Sequence, residues 1–479
     1  MRYEAVIGLE VHCQLLTDTK IFCGCSSRFG APPNTHVCPV CIGMPGVLPV
    51  LNRRAVEYAL RAGLALDCDI RPQSVFARKN YFYPDLPKGY QISMYDQPTM
   101  TGGHLDLSVG GTTKRVGLTR IHMEEDAGKL LHEGFPDSSS RSYVDYNRSG
   151  VPLIEIVSEP DLRSPEEAHA YFSTLRDLLV WIGITDGNME EGSLRCDANV
   201  SLRPEGRAEL GTKAELKNLN SFKFVQHALD HEIHRQEEIL KGGGRVVQET
   251  RLYDPKQDRT VPMRSKEEAH DYRYFPEPDL PPLHVSPEWI EEVRRALPEL
   301  PAARRARFER DHGLKAQDAQ VLTTERPLAD YYEAVAAASG NARAAANWVL
   351  TEVLRKVRES KGAIESVPLA PERLASLIRL VDGRTISGKV AKELFEEIYF
   401  SGGDPGDLVR ERGLTQVTDV GPIRAAIDAV VARSADKVAA YRAGKTGLLG
   451  FFVGQVLKET GGQADPALVN RLLKERLES

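Results

Sequence analysis

The chain has 479 residues, of which 41% are hydrophobic and 27% are charged, values typical of globular proteins. At roughly 150 residues per domain, this length predicts about three domains. The formal net charge of −6 excludes a uniformly basic coat for nucleic acid, although it leaves room for a local basic face.

Membrane insertion and export are not indicated. No stretch reaches the roughly 18 apolar residues of a transmembrane helix, and the first apolar run, Ala5–Leu9, lacks the basic flank of a signal peptide. Four of the seven cysteines lie between residues 23 and 41, a clustering that favours a metal site over disulfides. We therefore expect a cytoplasmic protein without a membrane partner.

Residues 1 to about 290 combine short β-type runs with amphipathic helices, a pattern that indicates an α+β fold. Strands are predicted at Tyr3–Leu9, Leu105–Val109 and Val151–Val157, and helices at Arg53–Leu66 and Ser164–Ile182. The second helix begins with Ser, Pro and two Glu residues, a typical helix start.

Two segments mark predicted domain boundaries in the rest of the chain. Prolines cluster between Pro276 and Pro287, and helical periodicity dominates after them. The second boundary is predicted at the Ser401–Pro405 segment. The sequence thus predicts an α+β domain at 1–290, a helical domain at 291–403 and a small helical tail domain at 404–479.

The cysteine cluster consists of two close pairs separated by twelve residues: Cys23 with Cys25, and Cys38 with Cys41. Two such thiolate pairs can complete a tetrahedral Zn²⁺ site, and four thiolates leave no open position, so this metal would be structural. His36 could replace one ligand. Four reduced cysteines without a metal are the alternative.

A second group of residues offers hard ligands on predicted strands. Residues that alternate along a strand share a face, and a carboxylate within an apolar run is costly unless it is paired or holds a cation. Oxygen ligands of this kind suit Mg²⁺, which retains water for substrate phosphates. Salt bridges to nearby arginines and lysines are the alternative. The group comprises Glu10, His12, Glu124, Glu125, Asp126, Glu155, Asp197 and Asn199.

Three further segments bear on anion binding. Arg78–Gln91 mixes cations with aromatic residues, which is typical of an anion site or a nucleic-acid contact, or of a rigid surface loop. Gly383–Val390 and Gly444–Thr446 each lack a residue that a phosphate-binding P-loop requires. We expect both to be helix caps or turns, so that any ATP site here is not a P-loop.

Long ordered segments across the whole chain closely resemble the GatB family, the B subunits of the aspartyl/glutamyl-tRNA(Asn/Gln) amidotransferases. The resemblance implies a cradle of antiparallel sheet with helices, then an all-helical domain and a small helical tail. The matching segments are Ile7–His12, Pro45–Pro49, Lys79–Gln91, Asp145–Glu159, Glu191–Ser201, Lys217–Ser221, Gly450–Lys458 and Asn470–Lys474.

The resemblance also implies a reaction. An amidase A subunit would release ammonia from glutamine, a small C subunit would complete the heterotrimer, and this chain would use ATP and Mg²⁺ to phosphorylate the side-chain carboxylate of Glu-tRNA(Gln) or Asp-tRNA(Asn). Ammonia would then displace phosphate. A non-discriminating aminoacyl-tRNA synthetase is a further expected partner, and Zn²⁺ would support the fold.

The family pattern assigns roles to residues of this sequence. The Mg²⁺ ligands would be Glu10, His12, Glu125 and Glu155, with Glu124 as an alternate. Catalysis would involve Glu125, Lys79, Glu10 and Asp197, and the phosphates would contact Lys79, Arg195, Asn199 and Ser193. Tyr81 and Lys88 would lie on the ammonia path. The tRNA would contact Arg442, Lys445, Lys458 and Lys474.

Two other function classes compete with this interpretation. One is a zinc-stabilised tRNA-binding or assembly protein without its own catalysis. A change at two of the positions Glu10, His12, Glu125 and Glu155 would have favoured it, but all four residues are present. The other is a zinc hydrolase, which needs an open metal site; four cysteines form a closed one, and no His-Glu-x-x-His segment is present.

Overall fold

The computed structural model describes residues 2–263, 272–415, 420–461 and 464–478. The chain forms two compact units, Met1–Leu300 and Pro301–Ser479. Among the described residues, every strand lies in the first unit, and the second unit is helical. This arrangement confirms the predicted α+β class; the boundaries near 290 and 403 stay predictions.

In the described part of the first unit, strands of very different length alternate with helices. The strands are β1 (Tyr3–Gln14), β2 (Asp69–Ile70), β3 (Gln73–Ser74), β4 (Ala77–Asn80), β5 (Tyr90–Ser93), β6 (Met100–Thr101), β7 (His104–Val109), β8 (Thr112–Glu125), β9 (Lys129–Leu131), β10 (Tyr143–Asp145), β11 (Pro152–Ser158), β12 (Leu194–Pro204), β13 (Ala214–Lys217), β14 (Glu249–Asp254), β15 (Arg259–Pro262), β16 (Phe275–Pro276) and β17 (Leu283–His284). The helices are α1 (Arg53–Ala65), α2 (Pro165–Trp181), α3 (Phe222–Lys241) and α4 (Pro287–Ala296).

One large sheet organises this unit, with strand order β15-β14-β13-β12-β1-β11-β8-β5-β4-β16. Its described strand pairs are antiparallel except β13 and β14, which run parallel. The sheet is therefore mixed, and the expected antiparallel pairing holds for its other described strand pairs. The physical reason is the connection: α3 lies between these two strands in the chain, and a helical crossover lets successive strands run in the same direction.

The two faces of the sheet differ in polarity. On β1, Ile7, Leu9, Val11 and Cys13 are fully buried on one face, where α2 and α3 lie against the sheet. The alternating residues, including Glu10 and His12, are only half-buried on the opposite face. We call this second face, as it continues onto the neighbouring strands, the polar face.

The helix starts follow local capping chemistry. The Ser164 hydroxyl accepts the backbone N–H of Glu167, and Pro165 opens α2. The Asn52 side chain accepts the first N–H groups of α1. These helices, and the three strands predicted from periodicity, are confirmed to within a few residues at their ends.

The second unit contains α5 to α16, and its last helices share a core formed by residues between Ile423 and Leu477. Gly383 caps α10 and the Ser387 side chain caps α11, so this P-loop-like segment joins two helices, as predicted. No helix in the described parts of the chain is both long and apolar enough to cross a membrane. The helices are α5 (Pro301–Asp311), α6 (Ala316–Leu322), α7 (Arg326–Ser339), α8 (Ala342–Trp348), α9 (Leu354–Ser360), α10 (Pro371–Asp382), α11 (Gly388–Ser401), α12 (Pro405–Glu411), α13 (Val420–Arg433), α14 (Ala435–Arg442), α15 (Leu449–Glu459) and α16 (Pro466–Glu478).

Candidate active site

Strand register brings four charged or polar side chains into one row across the polar face. His12 on β1 lies opposite Glu155 on β11 and Arg195 on β12, and Glu155 lies opposite His122 on β8. Directly opposite residues of antiparallel strands project to the same side of the sheet. Residues far apart in the sequence therefore meet at the centre of the polar face.

The centre of this row can hold a cation. One ligand atom from each of His12, Glu124 and Glu155 lies within 4.8 Å of the others, and we call these three residues the central trio. The His12 Nε2 atom is 3.5 Å from a Glu155 oxygen. One imidazole and two carboxylates are ligands that suit Mg²⁺, whose remaining positions water and phosphate oxygens fill.

His122 extends the trio, although the sequence analysis did not assign it a role. Its Nε2 atom lies 3.5 Å from Glu155 and 3.7 Å from Glu124. Its side chain is buried, and within the described residues neither ring nitrogen has a hydrogen-bond partner. A buried imidazole with unsatisfied nitrogens beside two carboxylates fits a site that holds a ligand. The sequence could have indicated a site role for His122, because His122 alternates with Glu124 on one strand.

Glu155 is an anion in this environment. Burial would raise the pKa of its carboxyl group, but the hydrogen bond with His12 and the positive charges of His122, His12 and Lys79 lower that pKa to about 2. Burial would in turn lower the pKa of His12, but its contact with Glu155 raises it. A bound divalent cation would replace the His12 proton as the partner of this carboxylate.

Two predicted phosphate ligands flank the trio. Lys79, on β4, is close enough to Glu155 to stabilise its charge. The Arg195 guanidinium donates to Asp126 at 3.1 Å while its side chain remains 30% exposed. Ser193 lies one residue before β12, and its hydroxyl contacts Asp186 at 3.4 Å. Two cations thus border the trio from opposite sides, Arg195 from β12 and Lys79 from β4.

A polar neighbourhood continues toward β13. The Asn199 amide donates to Glu10 at 2.9 Å, and the Lys217 ammonium donates to Asp197 at 2.7 Å. Burial and the nearby charges of Glu155 and Glu215 raise the pKa of Glu10. Lys217 was not among the predicted site residues; its position on β13, beside Asp197, supplies a third cation.

The predicted ligand set changes in two places. Among the described residues, neither Glu10 nor Glu125 groups with the central trio. Glu10 lies two residues before His12 on β1, opposite Asp197 on β12. Successive residues of a strand face opposite sides, so Glu124 reaches the trio whereas Glu125 points away from it. The expected grouping of Glu125 with Glu155 is therefore not what the structure shows.

Glu125 instead forms a buried ion pair with Lys88. The Glu125 carboxylate accepts from the Lys88 ammonium and from the Ile92 backbone N–H, the latter at 2.9 Å. This pair lines a cavity of about 220 Å³. Burial, followed by the charges of Glu124 and other acids, raises the pKa of Tyr81, which places this ring near Glu124. Of the two predicted ammonia-path residues, Lys88 thus contacts Glu125, and Tyr81 lies near Glu124.

The four predicted zinc ligands come together. A sulfur atom from each of Cys23, Cys25, Cys38 and Cys41 lies within 4.8 Å of the others. The hydrogen bond from Cys23 lowers the pKa of Cys41 to about 4, against the effect of burial, and Lys20 contributes to this shift. Four sulfurs at this spacing fit a tetrahedral Zn²⁺ site.

Lys20 and His36 complete the surroundings of this cluster. Lys20 is fully buried, and its ammonium donates to the His36 carbonyl at 2.7 Å and contacts the Cys41 sulfur at 3.6 Å. His36 is not part of the group of potential ligands. His36 as a substitute ligand is thus not supported, and the Lys20 charge offsets the negative charge of four thiolates.

Replacing Cys23 and Cys25 together with serine is expected to remove one metal ion per chain and to lower the melting temperature by about 5–10 °C, because a ligand that binds only the folded state stabilises it. Elemental analysis and a melting curve measure both effects. Cys68→Ser is the control, since this thiol lies outside the cluster and contacts the Gly102 carbonyl. A double variant that retains its metal, or melts like the parent, would contradict a structural metal site.

Three of the four predicted tRNA-binding cations, Arg442, Lys458 and Lys474, lie on the last helices of the second unit, and Lys445 lies in the connection between α14 and α15. Arg442, Lys445, Lys458 and Lys474 are all exposed. The Arg442 guanidinium donates to the Leu477 carbonyl at 3.0 Å, and this bond ties the end of α14 to the end of α16. Arg442 therefore has a structural contact in addition to any role in binding.

Comparisons with known proteins identify the family of the chain. Residues 5–291 match the GatB/GatE catalytic domain, and residues 330–477 match the GatB domain. The chain is 58% identical to the B subunit of the aspartyl/glutamyl-tRNA(Asn/Gln) amidotransferase of Solidesulfovibrio magneticus over 99% of both chains. It is 58% identical to the corresponding protein of Geotalea daltonii over 100% of both chains, and 57% identical to that of Carboxydothermus hydrogenoformans over 99% of both. The chain therefore belongs to the GatB family of tRNA-dependent amidotransferase B subunits.

Proposed function

We propose that this chain, in a heterotrimer with an amidase A subunit and a small C subunit, activates the side-chain carboxylate of Glu-tRNA(Gln) or Asp-tRNA(Asn) with ATP and then amidates it. The grouping of His12, Glu124 and Glu155 between the cations Lys79 and Arg195 carries this proposal. The names of the relatives supply the tRNA and the amide transfer. A reduced four-cysteine cluster and a tRNA substrate favour the cytoplasm as the location.

The chemistry requires two steps. An oxygen of the substrate carboxylate attacks the γ-phosphorus of ATP, the bond between the γ-phosphorus and the bridging oxygen breaks, and ADP leaves. Ammonia then attacks the carbonyl carbon of the acyl phosphate, and inorganic phosphate leaves with the carboxylate oxygen. Both steps bring anions together, so positive charge must be positioned around the phosphates.

The polar face can provide this charge. Mg²⁺ bound by the central trio would neutralise the phosphates and polarise the transferred phosphoryl group. Lys79 and Arg195 border the trio and would bind phosphate oxygens. We place Asn199 and Ser193 at the margin of this phosphate site. Glu10 and Asp197, which pair beside His12 and Arg195, would orient the substrate and the water molecules around the metal.

We propose that ammonia arrives from the cavity beside Lys88. Glu125 lines this cavity, and its strand neighbour Glu124 belongs to the trio. Glu125 would accept a proton from incoming ammonium, so that neutral ammonia passes Tyr81 to the acyl phosphate. This role uses the position of Glu125 away from the trio and replaces its predicted role as a direct Mg²⁺ ligand.

We propose Zn²⁺ as the metal of the four-cysteine cluster and a structural role for it, because four thiolates leave no coordination position for substrate. The closed ligand set also argues against a zinc hydrolase.

We further propose that the tail domain, residues 404–479, grips the tRNA. Changing Lys445, Lys458 and Lys474 together to glutamate is expected to weaken tRNA binding by about tenfold or more and to reduce the salt dependence by about one unit of slope per lost phosphate contact. Binding at several salt concentrations measures both. Lys389→Glu is the control, on an α11 side chain that is 82% exposed. Unchanged affinity and slope in the triple variant would remove the tail from tRNA binding.

The direct test of the proposed function is an amidation assay on the purified heterotrimer. Glutamine, Mg²⁺ and radiolabelled Glu-tRNA(Gln) or Asp-tRNA(Asn) are supplied with and without ATP, and a non-discriminating aminoacyl-tRNA synthetase can generate the substrates in place. We expect amidated aminoacyl-tRNA only with ATP. Tight tRNA binding without amidation of either substrate would contradict the proposal and support a tRNA-binding or assembly protein instead.

A further inference from the structure

A tight turn carries the second pair of the four-cysteine cluster. The Ile42 backbone N–H donates to the Cys38 carbonyl at 3.2 Å, and the Cys38 backbone N–H donates to the Cys41 sulfur at 3.1 Å. A metal bound by both sulfurs would therefore fix the conformation of this segment. We call residues 38–43 the cysteine turn.

The cysteine turn lies directly against Lys88. Its last residue, Gly43, has a positive φ of 71°, and a Cβ atom added there would lie 2.5 Å from Cγ and 3.0 Å from Cα of Lys88. Non-bonded carbon atoms pack about 3.5–4.0 Å apart, so only a glycine lets the turn approach the lysine this closely. The Lys88 ammonium meets Glu125. The turn thus contacts one end of the lysine side chain, and the carboxylate contacts the other.

A second set of contacts joins the cluster to Glu125. The Ser149 hydroxyl donates to the Cys41 carbonyl at 3.2 Å. A Cβ atom added at Gly150 would lie 3.5 Å from Cβ of Cys41 and 3.9 Å from Oε2 of Glu125. One glycine therefore separates a predicted zinc ligand from the carboxylate. The cavity of about 220 Å³ is lined by Cys41, Lys88 and Glu125 together.

We propose that the metal-bound cysteine turn positions Lys88, so that the four-cysteine cluster holds the Lys88–Glu125 pair in place on the ammonia path. The turn touches no substrate and acts through the lysine. The inference rests on the proposed function, which gives the pair its role in ammonia delivery. It goes beyond stabilisation of the fold, because it predicts a local change at one lysine when the turn is altered.

Acetylation of lysine side chains in the heterotrimer tests this contact without turnover. Sulfosuccinimidyl acetate modifies accessible amines, and mass spectrometry of the peptides gives a rate for each lysine. The Lys88 side chain is 7% exposed, so we expect it to be protected in the parent protein. Lys114, in the same unit, has a side chain that is 27% exposed and reports any general loosening.

Two alanine variants separate contact with Lys88 from backbone strain. Gly43→Ala keeps all four cysteines and places a methyl group against the lysine. Gly30→Ala is the matched control, because Gly30 lies between the two cysteine pairs and has a positive φ of 90°, but a Cβ atom there meets no other atom within 4 Å. Both changes strain the backbone in the same way. The double serine variant at Cys23 and Cys25 removes the metal instead.

We expect Lys88 to be acetylated at least about fivefold faster in Gly43→Ala and in the double serine variant than in the parent, and Gly30→Ala to stay within about twofold. The rate at Lys114 should be unchanged, and elemental analysis should find the metal retained in Gly43→Ala. The number of amides formed per glutamine hydrolysed should also fall in Gly43→Ala. A general folding defect would lower both activities together and leave that ratio unchanged.

Equal protection of Lys88 in the parent, Gly43→Ala and Gly30→Ala would overturn the inference. So would a double serine variant in which Lys88 and Lys114 become accessible together, since that result indicates general unfolding. A heterotrimer that forms no amide even as the parent protein, while Lys88 responds to the cysteine turn as expected, would contradict the proposed function and leave the positioning contact intact. The two failures are therefore distinguishable.

Discussion

The Glu155→Gln variant of the heterotrimer is expected to lose ATP-dependent amidation by at least about a hundredfold, while glutamine hydrolysis by the A subunit continues. Glu155 contacts both His12 and His122 and carries the charge at the centre of the polar face. An amide has nearly the same shape but no charge, so it can neither pair with these rings nor balance a cation. Rates of amide formation and of glutamate release measure the two activities separately.

Glu159→Gln is the matched control for this prediction. It makes the same chemical change four residues later, at a carboxylate that accepts from the Thr119 hydroxyl outside the central row. Its amidation rate should stay within about twofold of the parent, as surface substitutions rarely alter a distant site. A Glu155→Gln heterotrimer that amidates tRNA at the parental rate would remove this carboxylate from the mechanism.

The Lys88→Met variant is expected to lose about 3–5 kcal/mol of stability, because it leaves the buried Glu125 carboxylate without its ion-pair partner. The side chains of Lys88 and Glu125 are only 7% and 3% exposed. Adding Glu125→Gln to this variant removes the unpaired charge, so the double variant should regain most of the loss. Urea unfolding of the three proteins measures these differences.

A partly exposed ion pair provides the comparison. Lys114 pairs with Glu167, and their side chains are 27% and 20% exposed. Lys114→Met should cost no more than about 1 kcal/mol, because solvent screens such a pair. The double variant, which carries Glu125→Gln, should also fail to amidate tRNA if Glu125 accepts the ammonium proton. A Lys88→Met protein as stable as Lys114→Met would show that the pair is not buried in solution.

Local signals in the sequence predicted much of the fold. The Ser-Pro-Glu-Glu start fixes the first turn of α2, and apolar alternation identifies β1, since both depend on residues close in the chain. The parallel pairing of β13 with β14 escaped prediction. This pairing depends on where the segment after the long helix α3 joins the sheet, and no local sequence pattern determines that position.

The candidate site shows the same limit at the level of single residues. Alternation correctly put Glu10 and His12 on one face, but the cross-strand register decides that His12, and not Glu10, lies opposite Glu155. The sequence alone could have shown which residues of β8 share a face. His122 and Glu124 alternate, so Glu125 faces the other side of the sheet. The stacking of Tyr95 on Tyr274 was not predictable in this manner, because these residues come from distant segments.

The most direct test of the central claim follows an oxygen atom. Glu-tRNA(Gln) carrying ¹⁸O in both side-chain carboxylate oxygens is incubated with the heterotrimer, ATP, Mg²⁺ and glutamine, and the released phosphate is analysed by mass spectrometry. Activation on the polar face predicts one ¹⁸O atom in phosphate for each amide formed, and neither product from Glu155→Gln. Amidated tRNA accompanied by unlabelled phosphate would contradict phosphoryl transfer to the carboxylate.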